Sequence, residues 1–225
     1  MKRISILFCF ILLILITSFT LTACKKNTEQ PKEKNDISYI QTGFYKGENK
    51  DFEVKISKGN KEVLFVADGK TNECKDFCAI TVIPSSVDLF NNEYEFVITG
   101  ETGEINGKLN KDSFGAYYEQ DVDVSSIGEI SKVTISYGKK TQEITVTNML
   151  KDCLDAKQAL EKAREALSER LSSDDKDREI YIRMINNTGN PKSEYYWYVA
   201  FIANPTDYYA CLINPADGTA VSCPK

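Results

Sequence analysis

Seven cysteines occur in a chain of 225 residues, and their spacing indicates which of them could form covalent bonds. Cys211 and Cys223 flank a segment in which residues 215–218 read Pro-Ala-Asp-Gly. This motif is typical of a type I turn followed by glycine in the left-handed region, which connects the two strands of a hairpin. Because the turn sets the two cysteines nearly opposite each other, we predict a disulfide between Cys211 and Cys223.

Cys74 and Cys78 are separated by three residues and follow the turn signal Asp68-Gly69. We expect a short loop closed by a tight local disulfide. A metal clip is the alternative, although two thiols without a second pair or a histidine make a poor zinc site.

Cys153 lies in a segment with a helical pattern of apolar residues. We interpret it as a small buried side chain. Two alternatives stay open: a reactive thiol whose pKa is lowered near a helix N-terminus, or a disulfide between two molecules.

The chain contains no histidine. Ser-His-Asp and Cys-His catalysis are therefore excluded in their usual forms, because both need imidazole as the base. Histidine-based zinc sites are excluded as well. Catalysis by paired carboxylates, tyrosine, lysine or the Cys153 thiol is not excluded, but we predict that the protein is not an enzyme and has no cofactor.

Residues 121–126, Asp-Val-Asp-Val-Ser-Ser, have some features of a calcium-binding loop. Ser125 and Ser126 stand where the Asp-x-Asp-x-Asp-Gly loop has its third ligand and its glycine. The alternating valines favour the end of a strand, and we predict no metal site here.

The first 23 residues have the layout of a secretory signal, because Lys2 and Arg3 precede an apolar run from Ile4 to Phe19. Residues 21–24 read Leu-Thr-Ala-Cys, which resembles the lipobox of bacterial lipoproteins. The resemblance implies that residues 1–23 are removed and that Cys24 carries acyl chains such as palmitate. The mature protein would then be anchored on the extracytoplasmic face of the cell membrane, where disulfides persist. An uncleaved anchor is the alternative, but the run is slightly short for a full span.

Residues 24–36 would form the lipidated cysteine and a flexible tether, because they include no large apolar side chain. The formal net charge of the chain is −5, and removal of Lys2 and Arg3 makes it more acidic. Nucleic acid is therefore not an expected partner, since phosphate binding needs clustered lysine and arginine. The expected membrane attachment is the lipid anchor rather than a basic surface.

Residues 37–148 show the alternation of β-strands, most clearly at Phe52, Val54 and Ile56. Strands at this spacing predict a two-sheet sandwich, Ig-like in the broad sense but without the Cys…Trp…Cys framework. Asn106-Gly107 is interpreted as one of the turns. Further predicted strands cover residues 62–66, 79–83, 94–99, 115–120, 132–137 and 142–146.

From about Leu150 the apolar period becomes helical, with Asn148 or Asp152 as possible caps and residues 172–177 as the end. We therefore predict an α+β chain, in which the sandwich precedes a small helix-plus-antiparallel-sheet domain in residues 149–225. The strands predicted there cover residues 179–185, 195–203, 208–213 and 219–223.

Residues 195–201 read Tyr-Tyr-Trp-Tyr-Val-Ala-Phe, and residues 208–221 continue into the hairpin turn. Together with the preceding helix they resemble a PepSY-type domain, although Asn214 replaces the usual aspartate of the turn and Asp217 the usual threonine. The resemblance covers about a third of the chain. It implies that the protein modulates a protease or another envelope enzyme by contact.

Alternation along this aromatic strand predicts two faces. One face would pack on the helix, and the other would carry Tyr196 and Tyr198, joined by Tyr208 or Tyr209. An exposed aromatic face could bind a peptide, a sugar or another domain, whereas packing against the sandwich is an equal alternative. The residues predicted to face the helix are Tyr195, Trp197, Val199 and Phe201.

These observations predict a lipid-anchored cell-envelope protein that acts as a non-catalytic binding module for an envelope protein partner. The alternative is a lipoprotein that binds a small molecule or a glycan, for which a deep pocket would be needed.

Overall fold

The computed structural model describes residues 36–119, 121–171, 178–186 and 195–223. The predicted signal segment, Cys24 and the tether up to Asn35 lie outside this part, so they remain predictions. Among the residues described, no helix has the length and apolar character needed to cross a membrane.

The described residues fold into thirteen strands and a single α-helix, so the predicted β-rich class is confirmed at this level. The helix, α1, spans Ala156–Ala166, and a 3-10 turn spans Val87–Leu89. The strands are β1 (Ile37–Glu48), β2 (Phe52–Glu62), β3 (Cys74–Pro84), β4 (Tyr94–Gly100), β5 (Glu104–Lys111), β6 (Tyr117–Glu119), β7 (Ile130–Tyr137), β8 (Lys140–Thr145), β9 (Thr147–Asn148), β10 (Glu179–Asn186), β11 (Tyr195–Asn204), β12 (Asp207–Ile213) and β13 (Ala220–Ser222).

The strands form one hydrogen-bonded path in the order β13-β12-β11-β10-β1-β2-β3-β6-β5-β4-β7-β8, with β9 paired to β1. β1 joins the two parts of this path, because it is parallel to β10 on one side and antiparallel to β2 on the other. The sheet therefore does not divide at residue 148. A separate C-terminal domain stays a prediction.

The first hydrophobic core lies between β1–β3 and the strands β4, β7 and β8. Phe52, Val54 and Ile56 are fully buried in it, as their alternation predicts. Burial of such a side chain contributes about 1.5–3 kcal/mol, so this core fixes the register of β2 against its neighbours.

The second core lies between α1 and the inner face of β1 and β10–β12. Asp155 caps the helix: its side chain accepts a hydrogen bond from the Gln158 N–H at 2.8 Å, and the Gln158 side chain accepts one from the Asp155 N–H at 2.9 Å. The N-cap is therefore Asp155 rather than Asn148 or Asp152. Because the helix begins at Ala156, α1 is shorter than its apolar pattern predicts.

The predictions for residues 63–66 and for Asn106-Gly107 are wrong. Residues 63–66 do not continue β2, which ends at Glu62, but form an exposed loop. Asn106-Gly107 lies inside β5 rather than in a turn. A β-carbon on Gly107 would lie only 2.7 Å from Cζ of Phe96 on β4, so glycine is needed here for close packing across the strands.

Candidate functional site

The sheet formed by β1 and β10–β12 has two faces of different character. Trp197 and Val199 are fully buried in the core under α1, and the indole N–H of Trp197 donates to the Leu154 carbonyl at 2.8 Å. The prediction that this face packs on the helix is confirmed. Tyr196 and Tyr198 alternate with these residues and therefore point to the opposite side.

We call that opposite side the outer aromatic face and define it by Tyr39, Tyr181, Tyr196, Tyr198 and Tyr208. The register brings these residues together. Tyr181 is directly opposite Tyr39 across β10 and β1. Tyr208 is opposite Ile202, which lies on the same side of β11 as Tyr196 and Tyr198. All three tyrosines proposed from the sequence are thus on one face.

Ring contacts connect this face across three strands and a loop. Tyr39 stacks on Tyr181 with ring centroids 4.5 Å apart, and Phe77 of β3 lies 5.1 Å from Tyr39. Phe65, from the loop after β2, contacts Tyr181 at 5.6 Å, and the Arg183 guanidinium lies 5.7 Å from the same ring. Aromatic pairs contribute about 0.5–1.5 kcal/mol each beyond area burial, so the rings hold one another in place.

Exposure is concentrated at two ends of the outer aromatic face. Tyr208 is 53% exposed on β12. At the other end is the apolar loop, residues 63–66 (Val-Leu-Phe-Val), whose side chains are 49%, 78%, 48% and 54% exposed. Contiguous exposed apolar surface of this kind marks binding sites. The apolar loop was missed from the sequence because its four apolar residues resemble a buried strand.

Tyr196 and Tyr198 themselves are half-buried. Burial, followed by the neighbouring Tyr208, raises the pKa of Tyr198, while the Arg183 charge lowers it. The phenol therefore stays protonated and can donate a hydrogen bond at neutral pH. The sequence left open whether this face packs within the protein or is exposed, and each holds for a different side. The side at Tyr181 packs against the apolar loop through Phe65, whereas the side at Tyr208 is open to solvent.

Cys211 and Cys223 are brought together across β12 and β13. Their sulfur atoms are 1.89 Å apart, which is bonding distance, and their Cα atoms are 4.3 Å apart. Gly218 has a φ of +76°, in the left-handed region expected for this turn. Its N–H donates to the Asn214 carbonyl at 2.9 Å, and the hairpin thus aligns the two cysteines.

The predicted local disulfide between Cys74 and Cys78 is not formed, and both are free thiols. They lie on the extended strand β3 rather than in a loop. Four residues of a strand span about 13 Å, whereas a disulfide needs Cα atoms within about 7 Å. Cys78 is fully buried, and burial raises its pKa to about 11, so it is protonated at neutral pH.

Cys153 is also a free thiol, and it is half-buried. It does not lie in the helix but in the turn that precedes the Asp155 cap, where its sulfur is 3.7 Å from the Met149 carbonyl oxygen. The thiol is thus outside the N-terminal turn of α1, which was the basis for considering it reactive.

An open cleft of about 680 Å³ lies beside β2 and β3. Its lining includes Phe77, Lys58 and the segment 121–125, and Glu129 stands at its edge, held by the Tyr45 hydroxyl and the Asn148 amide at 2.9 Å each. The volume is in the range of small-molecule sites. The sequence does not indicate this cleft, because its lining comes from several separate segments.

The carboxylates of segment 121–126 are occupied by partners within the protein. Asp121 pairs with Lys75 at 2.8 Å, and Asp123 accepts hydrogen bonds from the N–H and hydroxyl of Ser125. Among the residues described, no three acidic, histidine or cysteine side chains come together as ligands of a metal ion. The segment is not a strand end either, since β6 ends at Glu119.

The chain matches no family model, and the searches of curated proteins and solved structures found no similar protein. The function is therefore argued from the geometry of these surfaces.

Proposed function

We propose that this protein is a lipid-anchored component of the bacterial cell envelope that binds a partner protein through its outer aromatic face and performs no catalysis. The observation that carries the proposal is the exposure of the apolar loop and of Tyr208 at the two ends of the outer aromatic face. Phe65 of the loop is joined to this face through its contact with the Tyr181 ring, which stacks on Tyr39. Tyrosine and phenylalanine are enriched where proteins meet other proteins.

The face also indicates the chemistry of its partner. Arg183 is exposed beside Tyr181 and Tyr198 and adds a positive charge to the exposed part of this aromatic surface. We expect a partner surface that is apolar, with an acidic residue placed against Arg183. Tyr39 and Tyr181 are already held by their ring contacts, so ordering these two side chains on binding would cost little entropy.

The anchor is part of the same proposal. The lipobox-like residues 21–24 would place the acyl chains on Cys24, and the tether would connect them to β1, which begins at Ile37. A Cys24→Ser variant should then appear in the medium instead of the membrane fraction, as measured by immunoblot. Retention of this variant in the membrane would favour the uncleaved anchor.

The finer architecture belongs to this proposal as well. We suggest two modules, a sandwich in residues 37–148 and a PepSY-like helix-and-sheet module in residues 149–225, which share β1. The support is the element order, α1 followed by antiparallel strands, and the resemblance of the aromatic strand and its hairpin. On this interpretation the partner is an envelope enzyme, such as a protease, that is modulated by contact.

Site-specific crosslinking in cells tests the binding surface. A photoreactive amino acid at Tyr208 or Leu64 should capture one dominant envelope protein. The matched control places the same group at Phe114, which is 95% exposed in the loop between β5 and β6. The Leu64→Ser/Tyr208→Ser variant should weaken capture from Ile202, whereas Phe114→Ser should not. Identical products from positions 208 and 114, or no product from any position, would contradict the proposal.

The cleft supports the second candidate, a lipoprotein that binds a small molecule or a glycan. Its volume of about 680 Å³ and the opposite charges of Lys58 and Glu129 suit a polar ligand. A thermal-shift screen of metabolites and oligosaccharides, with Lys58→Ala as the comparison, tests this candidate. A ligand that stabilises the parent protein but not the variant would favour the cleft over the outer aromatic face.

A further inference from the structure

Two carboxylates are buried in the part of the chain described. Glu62 at the end of β2 is 2% exposed, and Glu179 at the start of β10 is fully buried. They are neighbours in space, since the charge of Glu62 acts on Glu179, and the loop from residue 63 to residue 73 reaches both of them. The backbone N–H of Asn72 donates to one oxygen of Glu62, and the N–H groups of Asp68 and Gly69 lie near Glu179.

Four side-chain oxygen atoms of these two carboxylates and of the loop are buried without a hydrogen-bond partner. They are Oε2 of Glu62, both carboxylate oxygens of Glu179, and the hydroxyl oxygen of Thr71. The Ser38 hydroxyl and the Asp68 and Gly69 N–H groups favour the charged form of Glu179 but do not reach hydrogen-bonding geometry. Ser38 donates instead to the Ile180 carbonyl at 3.2 Å.

The described residues also provide no basic side chain to neutralise this pair. Arg178 is adjacent to Glu179 in sequence, but its guanidinium pairs with Asp207 at 3.0 Å and lies over the Tyr209 ring. Buried carboxylates without a counter-charge are strongly unfavourable, and two of them close together cannot both stay ionised. Burial, with a smaller effect from Glu62, accordingly raises the pKa of Glu179.

Elsewhere in the described part of this sheet the Tyr195 hydroxyl is the other buried side-chain atom without a partner, whereas the amide of Gln41 is fully paired. Gln41 is 3% exposed, and its side chain accepts from the Met184 N–H at 2.9 Å and donates to the Gly43 carbonyl and the Ser57 hydroxyl. Native proteins leave few buried polar atoms unpaired, and each such atom calls for an explanation. Tyr195 leaves a single hydroxyl unpaired, whereas Glu62, Glu179 and Thr71 leave four oxygens unpaired, three of them on carboxylates, and this points to a missing ligand.

We propose that Glu62, Glu179 and Thr71 bind a divalent cation, with Ca²⁺ as the favoured ion. All four unpaired atoms are oxygens, the donors that hard cations prefer. A charge of +2 would balance the two carboxylates. Ca²⁺ tolerates irregular coordination and completes it with water and carbonyl oxygens, whereas Mg²⁺ demands a regular octahedron.

The site would connect two parts of the fold. Glu62 and Thr71 belong to the two ends of the loop that carries the apolar residues 63–66, and Glu179 belongs to β10. A bound ion would therefore fix this loop against the sheet. The proposal does not depend on the identity of any binding partner.

Calcium titration of the full-length lipidated protein in detergent tests the proposal. After treatment with EDTA and its removal, CaCl₂ is added at pH 7, and heat release and melting temperature are measured. We expect one ion bound per chain and a melting temperature that rises with calcium concentration, with MgCl₂ at least tenfold less effective. The absence of both signals up to millimolar CaCl₂ would overturn the proposal.

Variants locate the ion. Glu179→Gln keeps the shape of the side chain but removes its charge, so the metal-free variant should fold and should lose the calcium response. Asp123→Asn, which changes an exposed carboxylate at the cleft, is the matched control and should keep the response. A calcium response retained by Glu179→Gln, or lost only in Asp123→Asn, would place the ion elsewhere and overturn the assignment.

Discussion

Trp197 and Tyr198 are adjacent in sequence but lie in opposite environments. Trp197 is fully buried under α1 and hydrogen-bonded to Leu154, whereas Tyr198 is half-buried on the outer aromatic face with Arg183 and Tyr208 as neighbours. The same alternation produces both faces, so alternation alone does not distinguish a face that stabilises the fold from one available for binding. The difference arises from what is packed on each side.

The largest effect is expected on the inner face. Trp197→Ala removes the largest side chain of the second core and the donor to the Leu154 carbonyl. We expect the free energy of unfolding to fall by about 3–5 kcal/mol, measured by urea denaturation. A loss below about 1 kcal/mol would mean that the inner face stabilises the fold no more than the outer aromatic face does, which would contradict the contrast drawn between Trp197 and Tyr198.

Reduction of the Cys211–Cys223 bond is expected to have the next largest effect. Cys211 is buried on the inner face, and the bond closes a segment with a sequence separation of 12. We expect a loss of about 2–4 kcal/mol, observed as a lower melting temperature in dithiothreitol. Cys223→Ser should already melt at the lower temperature and should not respond to the reductant.

The N-terminal cap of α1 tests the same contrast between the two faces, because α1 is the element that covers the inner face. Asp155→Ala removes one half of the capping box with Gln158. We expect a loss of about 1 kcal/mol in chemical denaturation. Lys157→Ala, an exposed change in the first turn, is the control and should alter stability by less than about 0.5 kcal/mol. Equal losses of stability in both variants would show that the capping box does not contribute specifically to the free energy of unfolding.

The smallest effect on stability is expected on the outer aromatic face. Tyr208→Ser changes a side chain that is 53% exposed, so the free energy of unfolding should change by no more than about 0.5 kcal/mol. Partner capture should weaken all the same. A destabilisation as large as that of Trp197→Ala would mean that Tyr208 belongs to the structural core of the sheet.

Local patterns predicted much of this fold. The alternation at Phe52, Val54 and Ile56 and the turn ending in Gly218 both depend on residues close in sequence, and both are found as predicted. The grouping of Tyr196, Tyr198 and Tyr208 on one face likewise follows from short-range register. Cap selection was less predictable, because Asn148, Asp152 and Asp155 all have suitable side chains and only packing decides between them.

Non-local pairing could not be predicted. The contact of Tyr39 with Tyr181 depends on the parallel pairing of β1 with β10, for which no short motif exists. The apolar loop was assigned to a strand because an apolar run has the same pattern in either state. Cys74 and Cys78 were assigned to a loop because their strand, β3, begins with charged and polar residues.

The position of β1 also constrains how the chain reaches its native state. The Ser38 hydroxyl meets the Ile180 carbonyl across 142 residues of sequence, so this contact is among the most distant in the molecule. Distant contacts slow folding, because a long chain segment must be closed before they form. Until β10 has been synthesised, one edge of β1 is without its partner strand and is open to pairing with other chains. The C-terminal third therefore protects the first strand of the described fold from aggregation as well as completing the sheet.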